Sequence, residues 1–135
     1  VRLEIGPRDI EKGNAVLARR DIPGRDGKQF VSQDGIVDTV KTLLDEIQAN
    51  LLQQATDFRD GNIHDAADYA KMREIVESGA WARVRWSGSD DDERRVKDET
   101  GATLRCYPLD QPGGTGKCVL TGQDAERVAL FARAY

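Results

Sequence analysis

Long apolar runs and cysteine are both scarce in this sequence of 135 residues. No apolar run approaches the ~20 residues that a membrane-spanning helix requires, and no basic segment followed by an apolar stretch marks a secretion signal. Cys106 and Cys118 are the only cysteines, too few for a disulfide framework. We therefore expect a cytoplasmic protein without a membrane segment, in a reducing compartment.

Histidine is scarcer still, since His64 is the only one. A nucleophile–histidine pair would have to use it, and its place between two helical patterns favours a polar linker residue instead. Neither Cys106 nor Cys118 has the close partner or histidine neighbour that a zinc site requires. Both are therefore interpreted as small buried hydrophobic residues. From these absences we expect no complete active site in this chain.

Two further segments look like ligand-binding motifs but fit simpler interpretations. The glycine-rich residues 113–117 fail the spacing of a phosphate-binding loop, because Gln111 stands where the motif requires its first glycine. Cys118 also replaces the hydroxyl residue that would contact magnesium. The acidic residues 90–93 suit the start of a helix, where the macrodipole favours negative charge. We predict a surface loop and a helix start.

Hydrophobic periodicity predicts alternating strands and helices. Strands are predicted at residues 1–5, 14–20, 28–32, 81–86, 103–109, 117–120 and 127–134. Helices are predicted at residues 34–60, with Asp34 as the N-cap and an end near Gly61, from about 65 to 79, and at 90–100. Turn signals occupy residues 6–9 and 22–27. This mixture predicts the α+β class.

A domain boundary is predicted within the long helix. Before it lies a small, strand-rich part, and after it lies an α+β part with its own helices and strands. Residues 1–30 contain seven Lys or Arg and five Asp or Glu, a balance of +2, whereas the remainder has thirteen against nineteen, or −6. A polyanionic partner is therefore expected to meet the N-terminal part first.

One group of basic residues in the first part has functional promise, and its members are Arg2, Arg8, Arg19, Arg20, Arg25 and Lys28. Arg2, Arg8 and Lys28 are expected to converge at one end of the sheet that the first three strands form. Arginine and lysine read guanine through its O6 and N7 atoms, and unpaired RNA bases are open to such contacts. A solvated surface of mixed charge is an equally good interpretation from composition alone.

Several segments resemble a known family. The sequence RLEIGPRD at residues 2–9, followed by AVLARR at 15–20, looks like the anticodon-binding domain of the archaeal- and eukaryote-like prolyl-tRNA synthetases. The tail is similar to the C-terminal domain of that family, at ETGATLRC (99–106), GKCV (116–119) and LFARAY (130–135). The resemblance covers essentially the whole chain, in the order of the family.

The resemblance implies a fold and an activity. Residues 1–58 would be the end of a mixed α/β anticodon-binding domain, joined by a long helix to a small, zinc-binding-like α+β C-terminal domain at 59–135. The family attaches proline to its tRNA with ATP and magnesium, in a class II catalytic domain that lies upstream. We therefore expect no cofactor in this chain and no activity from it alone. The expected partners are proline tRNA, the upstream catalytic domain of the same protein and, for the full-length enzyme, a second copy in a homodimer.

Residue roles follow from the same resemblance. Arg2, Arg8 and Lys28 match basic residues that approach the two guanines of the proline anticodon. Tyr135 matches a last residue whose terminal carboxylate reaches toward the catalytic domain, where it supports the distant active site.

The zinc ligands of the family fall on Ser87, Asp92, Cys118 and Thr121 in this sequence. Only one of the four is a cysteine. One thiolate, one carboxylate and two hydroxyls make a poor zinc site, so we expect no bound metal. A free-standing, non-catalytic α+β interaction module is the alternative function, and an independent small enzyme has little support.

Overall fold

The computed structural model describes residues 1–134, which form helices and mixed sheets and confirm the predicted α+β class. The chain divides into two compact units, Val1–Phe58 and Arg59–Tyr135. None of the helices in the described range is long and apolar enough to cross a membrane. Tyr135 lies outside the described residues, so the role expected of its carboxylate stays a prediction.

The first unit contains a sheet of three antiparallel strands. They are β1 (Arg2–Glu4), β2 (Asn14–Ala18) and β3 (Lys28–Ser32), in the order β1-β2-β3. Leu17 on the middle strand is buried and packs with Leu43 and Ile47. These two belong to α2 (Ile36–Gly61), which covers this face of the sheet.

A short helix connects β1 to β2, where the sequence predicts only a turn at residues 6–9. This helix, α1 (Pro7–Lys12), has proline at its first position, where a missing amide hydrogen costs nothing. The Asp9 carboxylate accepts a hydrogen bond from the Gly6 amide at 2.8 Å. Gly13 closes the helix at a φ of 64°. The turn prediction is wrong because a Gly-Pro pair opens helices as well as turns.

Two predicted helix starts are displaced. The long helix begins after Gly35, whose φ is 69°, so the expected cap Asp34 lies outside it. It ends at Gly61, as predicted. The next helix, α3 (Tyr69–Glu77), begins later than residue 65, because Asp68 is its N-cap and accepts a hydrogen bond from the Lys71 amide.

The second unit is built on a four-stranded sheet with a separate two-stranded ribbon. Its strands are β4 (Ile63–Asp65), β5 (Trp81–Arg85), β6 (Ala102–Cys106), β7 (Gly116–Lys117), β8 (Asp124–Ala125) and β9 (Val128–Arg133). The main sheet has the order β4-β5-β9-β6, and β7 pairs with β8. His64 pairs with Ala82 in this sheet, so its expected role as a linker residue is wrong.

The core of the second unit lies between this sheet and two helices. Alternate residues of β5 are buried, as its pattern predicts. The rings of Trp86 and Phe131 meet edge to face with their centroids 4.8 Å apart. Val76 of α3 and Val96 of α4 (Asp90–Thr100) are fully buried in the same cluster. The acidic residues 90–93 form the first turn of α4, which confirms their interpretation as a helix start.

The two cysteines differ in burial. Cys118 is buried in the core of the second unit, as expected. Cys106 is exposed, so that expectation is wrong for this residue. It is the last residue of β6, an edge strand, and follows a break in register after Leu104. An edge strand has no neighbour on one side to cover such a residue.

Candidate nucleic-acid interface

The strand register places two of the three predicted basic residues in one row. Arg2 and Lys28 both pair with Ala18 of the middle strand. Opposed residues in antiparallel strands lie on the same face. Leu17 packs on α2, and successive side chains point to opposite faces. Arg2 and Lys28 therefore lie together on the face that α2 leaves open.

A carboxylate joins these two cations. Both oxygens of Glu4 accept hydrogen bonds from the Lys28 ammonium group, at 3.0 and 3.2 Å, and Arg2 forms an ion pair with the same carboxylate. Hydrogen bonds from Lys28 and Arg2 lower the pKa of Glu4, so the carboxylate stays ionised at neutral pH. Sequence reasoning missed Glu4, although its spacing of two from Arg2 on a strand already implies a shared face.

Arg8 lies apart from this row. It is exposed on the helix α1 and does not lie on a strand of the sheet. The structure thus brings two of the three residues together, and the RNA-binding role of all three stays a prediction.

A cavity of about 450 Å³ opens beside the row. Arg2, Arg19, Arg20 and Lys28 line it together with residues 22–24 of the loop between β2 and β3. Four cationic side chains around one concave surface attract a polyanion, even though the net charge of the chain is −4.

A buried carboxylate anchors the loop that forms one wall of this cavity. The side chain of Asp21 is fully buried and accepts two hydrogen bonds from the Arg19 guanidinium, at 2.7 and 3.1 Å. Asn50 on α2 donates to the same carboxylate at 2.7 Å, and Gln54 donates to the Asp21 main-chain oxygen at 3.2 Å. The Arg19 and Asn50 hydrogen bonds hold the pKa of Asp21 well below its ordinary value, against the effect of burial.

Of the four positions expected to match zinc ligands, Ser87 and Thr121 contact Cys118, and the expectation that no metal binds stays a prediction. Asp92 caps α4, where its carboxylate accepts hydrogen bonds from the Ser89 amide and hydroxyl at 2.8 Å each. Burial raises the pKa of the Cys118 thiol, but the Thr121 hydroxyl and the amides of Ser87 and Thr121 outweigh it and leave that pKa lowered. In the described part of the chain no three His, Cys, Asp or Glu residues cluster as metal ligands do.

Known proteins are similar to this chain over its whole length. A family model described as prolyl-tRNA synthetase, C-terminal, matches residues 69–135. The chain is 51% identical over 138 residues to the chloroplastic/mitochondrial proline–tRNA ligase of Arabidopsis thaliana. It is 50% identical to the proline–tRNA ligase of Roseiflexus sp. (strain RS-1) and 42% identical to that of Porphyromonas gingivalis, each over 135 residues. Each comparison covers 100% of this chain but only 25%, 28% and 27% of the respective relative, so the chain spans about a quarter of their length.

Proposed function

Since this chain belongs to the prolyl-tRNA synthetase family and corresponds to a C-terminal part of such a ligase, we propose that it reads the anticodon of proline tRNA and supports a catalytic domain of the same protein. Residues 1–58 act as the end of the anticodon-binding domain and residues 59–135 as the C-terminal domain. The whole protein attaches proline to its tRNA at the expense of ATP. In this proposal ATP, magnesium and the catalytic residues belong to the upstream domain, and this chain alone is inactive.

The row of Arg2 and Lys28 carries the anticodon-reading proposal. Guanine presents two acceptors, O6 and N7, on one edge, and these suit arginine and lysine donors. The bases of an unpaired loop expose that edge to protein side chains. The cavity beside the row adds Arg20 as a third cation for the phosphate backbone. Arg8 joins the proposal through the family resemblance.

The test separates RNA recognition from proline activation in the full-length ligase. Arg2→Ala and Lys28→Ala are each expected to lower kcat/KM for charging proline tRNA by roughly tenfold or more, because a base contact of this kind contributes about 1–3 kcal/mol. Proline-dependent exchange of pyrophosphate into ATP is expected to stay unchanged. Lys97→Ala, which removes a positive charge from the exposed side of α4, is the matched control. Equal losses in both steps would contradict anticodon reading.

Support of the catalytic domain is assigned to the carboxylate of Tyr135. Deleting Tyr135 from the full-length ligase is expected to slow proline activation while leaving tRNA affinity unchanged, and unaltered activation would rule this role out. A gene whose reading frame lacks class II synthetase motifs upstream of Val1 would instead favour the free-standing interaction module. The homodimer stays a prediction. The cytoplasmic location also stays a prediction, since one relative is by its name chloroplastic/mitochondrial.

A further inference from the structure

The last strand of the second unit is held differently at its end than along its length. Residues 128–132 of β9 are buried, whereas Arg133 is exposed. The register of β9 with β5 extends to Phe131, and its register with β6 extends to Arg133. In the described part of the chain, the end of β9 is therefore paired with β6 alone.

Two guanidinium groups hold the main chain at this end. The Arg105 Nη2 atom donates a hydrogen bond to the main-chain oxygen of Arg133 at 3.2 Å. The Arg133 Nε atom donates in turn to the main-chain oxygen of Thr100 at 2.8 Å. The first contact joins β6 to β9, and the second joins β9 to the last residue of α4. Together they attach the end of the last strand to two other elements.

The end of α4 is a firm point of attachment. Thr100 is buried, and its hydroxyl donates to the main-chain oxygen of Val96 at 2.7 Å and accepts from the Ala102 amide at 3.0 Å. The main-chain oxygens in the last turn of a helix have no partner within the helix, and a positive charge is favoured there. Arg133 supplies both a donor and a positive charge, so its contact attaches β9 to a buried residue.

An irregularity in β6 places Arg105 for its contact. The pairing of β6 with β9 shifts by one residue between Leu104 and Cys106, so Arg105 is the extra residue of a bulge. A bulge changes the direction in which a side chain points. The Arg105 side chain extends back along β6 to the pair that Ala102 forms with Arg133. The bulge thus directs an exposed arginine of an edge strand to the end of the neighbouring strand.

We propose that Arg105 and Arg133 are positioning residues for proline activation, because they hold the end of β9 from which the chain continues to Tyr135. The inference rests on the proposed function, in which the carboxylate of Tyr135 supports the catalytic domain. Tyr135 is two residues after Arg133, and two residues extend at most about 7 Å. A fixed Arg133 therefore limits where that carboxylate can reach, and a small displacement of a supporting group is costly for catalysis.

The first experiment separates the hydrogen bond of Arg105 from its packing in the full-length ligase. Arg105→Met keeps a long side chain without a donor, whereas Arg105→Lys keeps a donor. Arg105→Met is expected to lower kcat/KM for proline-dependent pyrophosphate exchange roughly tenfold, the effect of losing one hydrogen bond from a charged donor. Arg105→Lys is expected to retain most of the wild-type value. The KM for proline tRNA is expected to stay unchanged in both variants.

The matched control is Arg73→Met, which removes another exposed arginine, on α3, whose distance to the Glu77 carboxylate is 3.8 Å. It is expected to leave pyrophosphate exchange unchanged. Wild-type exchange in Arg105→Met, or equal losses in Arg105→Met and Arg105→Lys, would overturn the inference. A loss in Arg105→Met that occurs only near a lowered melting temperature would show a purely structural role and would overturn it as well.

The second experiment determines whether Arg105 acts through Tyr135. Arg105→Met is combined with deletion of Tyr135 in the full-length ligase. The combined variant is expected to be as slow as the deletion alone, since holding the end of β9 has no effect once the group that it carries is removed. Arg133→Met is expected to behave in the same way. Losses that multiply would show that Arg105 acts by another route and would contradict the inference.

The outcomes separate this inference from the proposed function. If deleting Tyr135 slows proline activation while Arg105→Met does not, the inference fails and the supporting role of Tyr135 stands. If the deletion leaves proline activation unchanged, the supporting role fails together with the inference. Anticodon reading by the first unit is tested separately by the charging of proline tRNA.

Discussion

The buried Asp21 carboxylate connects a surface loop to the long helix through side chains far apart in sequence. Its partners are Arg19 in the same loop and Asn50 on α2. Because the pKa of Asp21 is held below its unfolded value of about 3.9, the ionised form stabilises the folded state at neutral pH. This contribution is present above the unfolded pKa and is lost as the pH falls toward the folded pKa.

Replacing Asp21 is therefore expected to change both stability and its dependence on pH. Asp21→Asn keeps the shape but removes the charge that Arg19 requires, so the melting temperature at pH 7 is expected to fall. The variant is also expected to lose less stability than the wild-type chain between pH 5 and pH 3. Thermal denaturation followed by circular dichroism measures both effects. Asp26→Asn, in the exposed part of the same loop, is the control. Identical pH profiles for all three proteins would refute this account.

The surroundings of Cys118 predict a domain that is stable without metal. Its thiol is close to the Thr121 hydroxyl and to backbone amides, while Asp92 is committed to a helix cap. We expect that a strong chelator leaves the melting temperature unchanged and that elemental analysis of the purified chain detects no stoichiometric zinc. One equivalent of bound zinc, whose removal by the chelator lowers the melting temperature, would contradict this prediction. It would show that one thiol and weaker ligands are enough to bind zinc.

The start of α4 shows how one element is stabilised at its end. The Ser89 hydroxyl accepts a hydrogen bond from the Asp92 amide at 3.3 Å, and the Asp92 carboxylate accepts one from the Ser89 amide. This reciprocal pair satisfies two amides that the helix itself leaves unpaired. The acidic first turn adds a favourable interaction with the helix macrodipole.

Removing this cap is expected to lower the free energy of unfolding moderately, and the effects of the two substitutions are not expected to add. Ser89→Ala is expected to lower the free energy of unfolding by about 1 kcal/mol. Adding Asp92→Ala to it is expected to cost less than the sum of the single changes, since both residues serve one cap. Urea denaturation gives the free energies, and Asp98→Ala on the exposed side of α4 is the control. Strict additivity would mean that the two residues act independently.

The elements were predictable where a regular pattern extends over several turns or alternations. The long helix has apolar residues at helical spacing over its whole length, and its end at Gly61 was predicted. The short elements α1 and β4 were missed because six and three residues are too few for a periodic signal. The start of α2 was displaced because Gly35, with its positive φ, precedes the first helical turn.

The net charge of the whole chain conceals an uneven distribution of charge that matters for the proposed RNA binding. The net charge is −4, yet residues 1–30 carry +2 and the remainder carries −6. Binding of tRNA to the full-length ligase is expected to weaken with salt, because each phosphate contact releases counterions. Arg20 lines the cavity beside the basic row and is exposed, which suits a phosphate contact better than a base contact.

Removing Arg20 is expected to reduce the salt dependence without changing base selectivity. For Arg20→Ala, the slope of log K against log salt concentration is expected to fall by about 0.7, the value for one phosphate contact to a single strand. The ratio of affinities for proline tRNA and for the same tRNA with an anticodon guanine replaced by inosine is expected to stay at the wild-type value. Filter-binding titrations at several salt concentrations measure both quantities. A change in the ratio would instead make Arg20 a base-reading residue.

The α+β class, the long helix and the strand β5 follow from the sequence alone, because periodicity depends only on residues close together along the chain. The row that joins Arg2 to Lys28 needed the register of three strands, and its Glu4 bridge joins residues 24 apart. The anchor from Asp21 to Asn50 joins residues 29 apart. Hydrogen bonds between distant residues form only once packing brings them together, and local patterns carry no record of that packing. The tertiary structure therefore decided which cations share a face and which carboxylate lies between them.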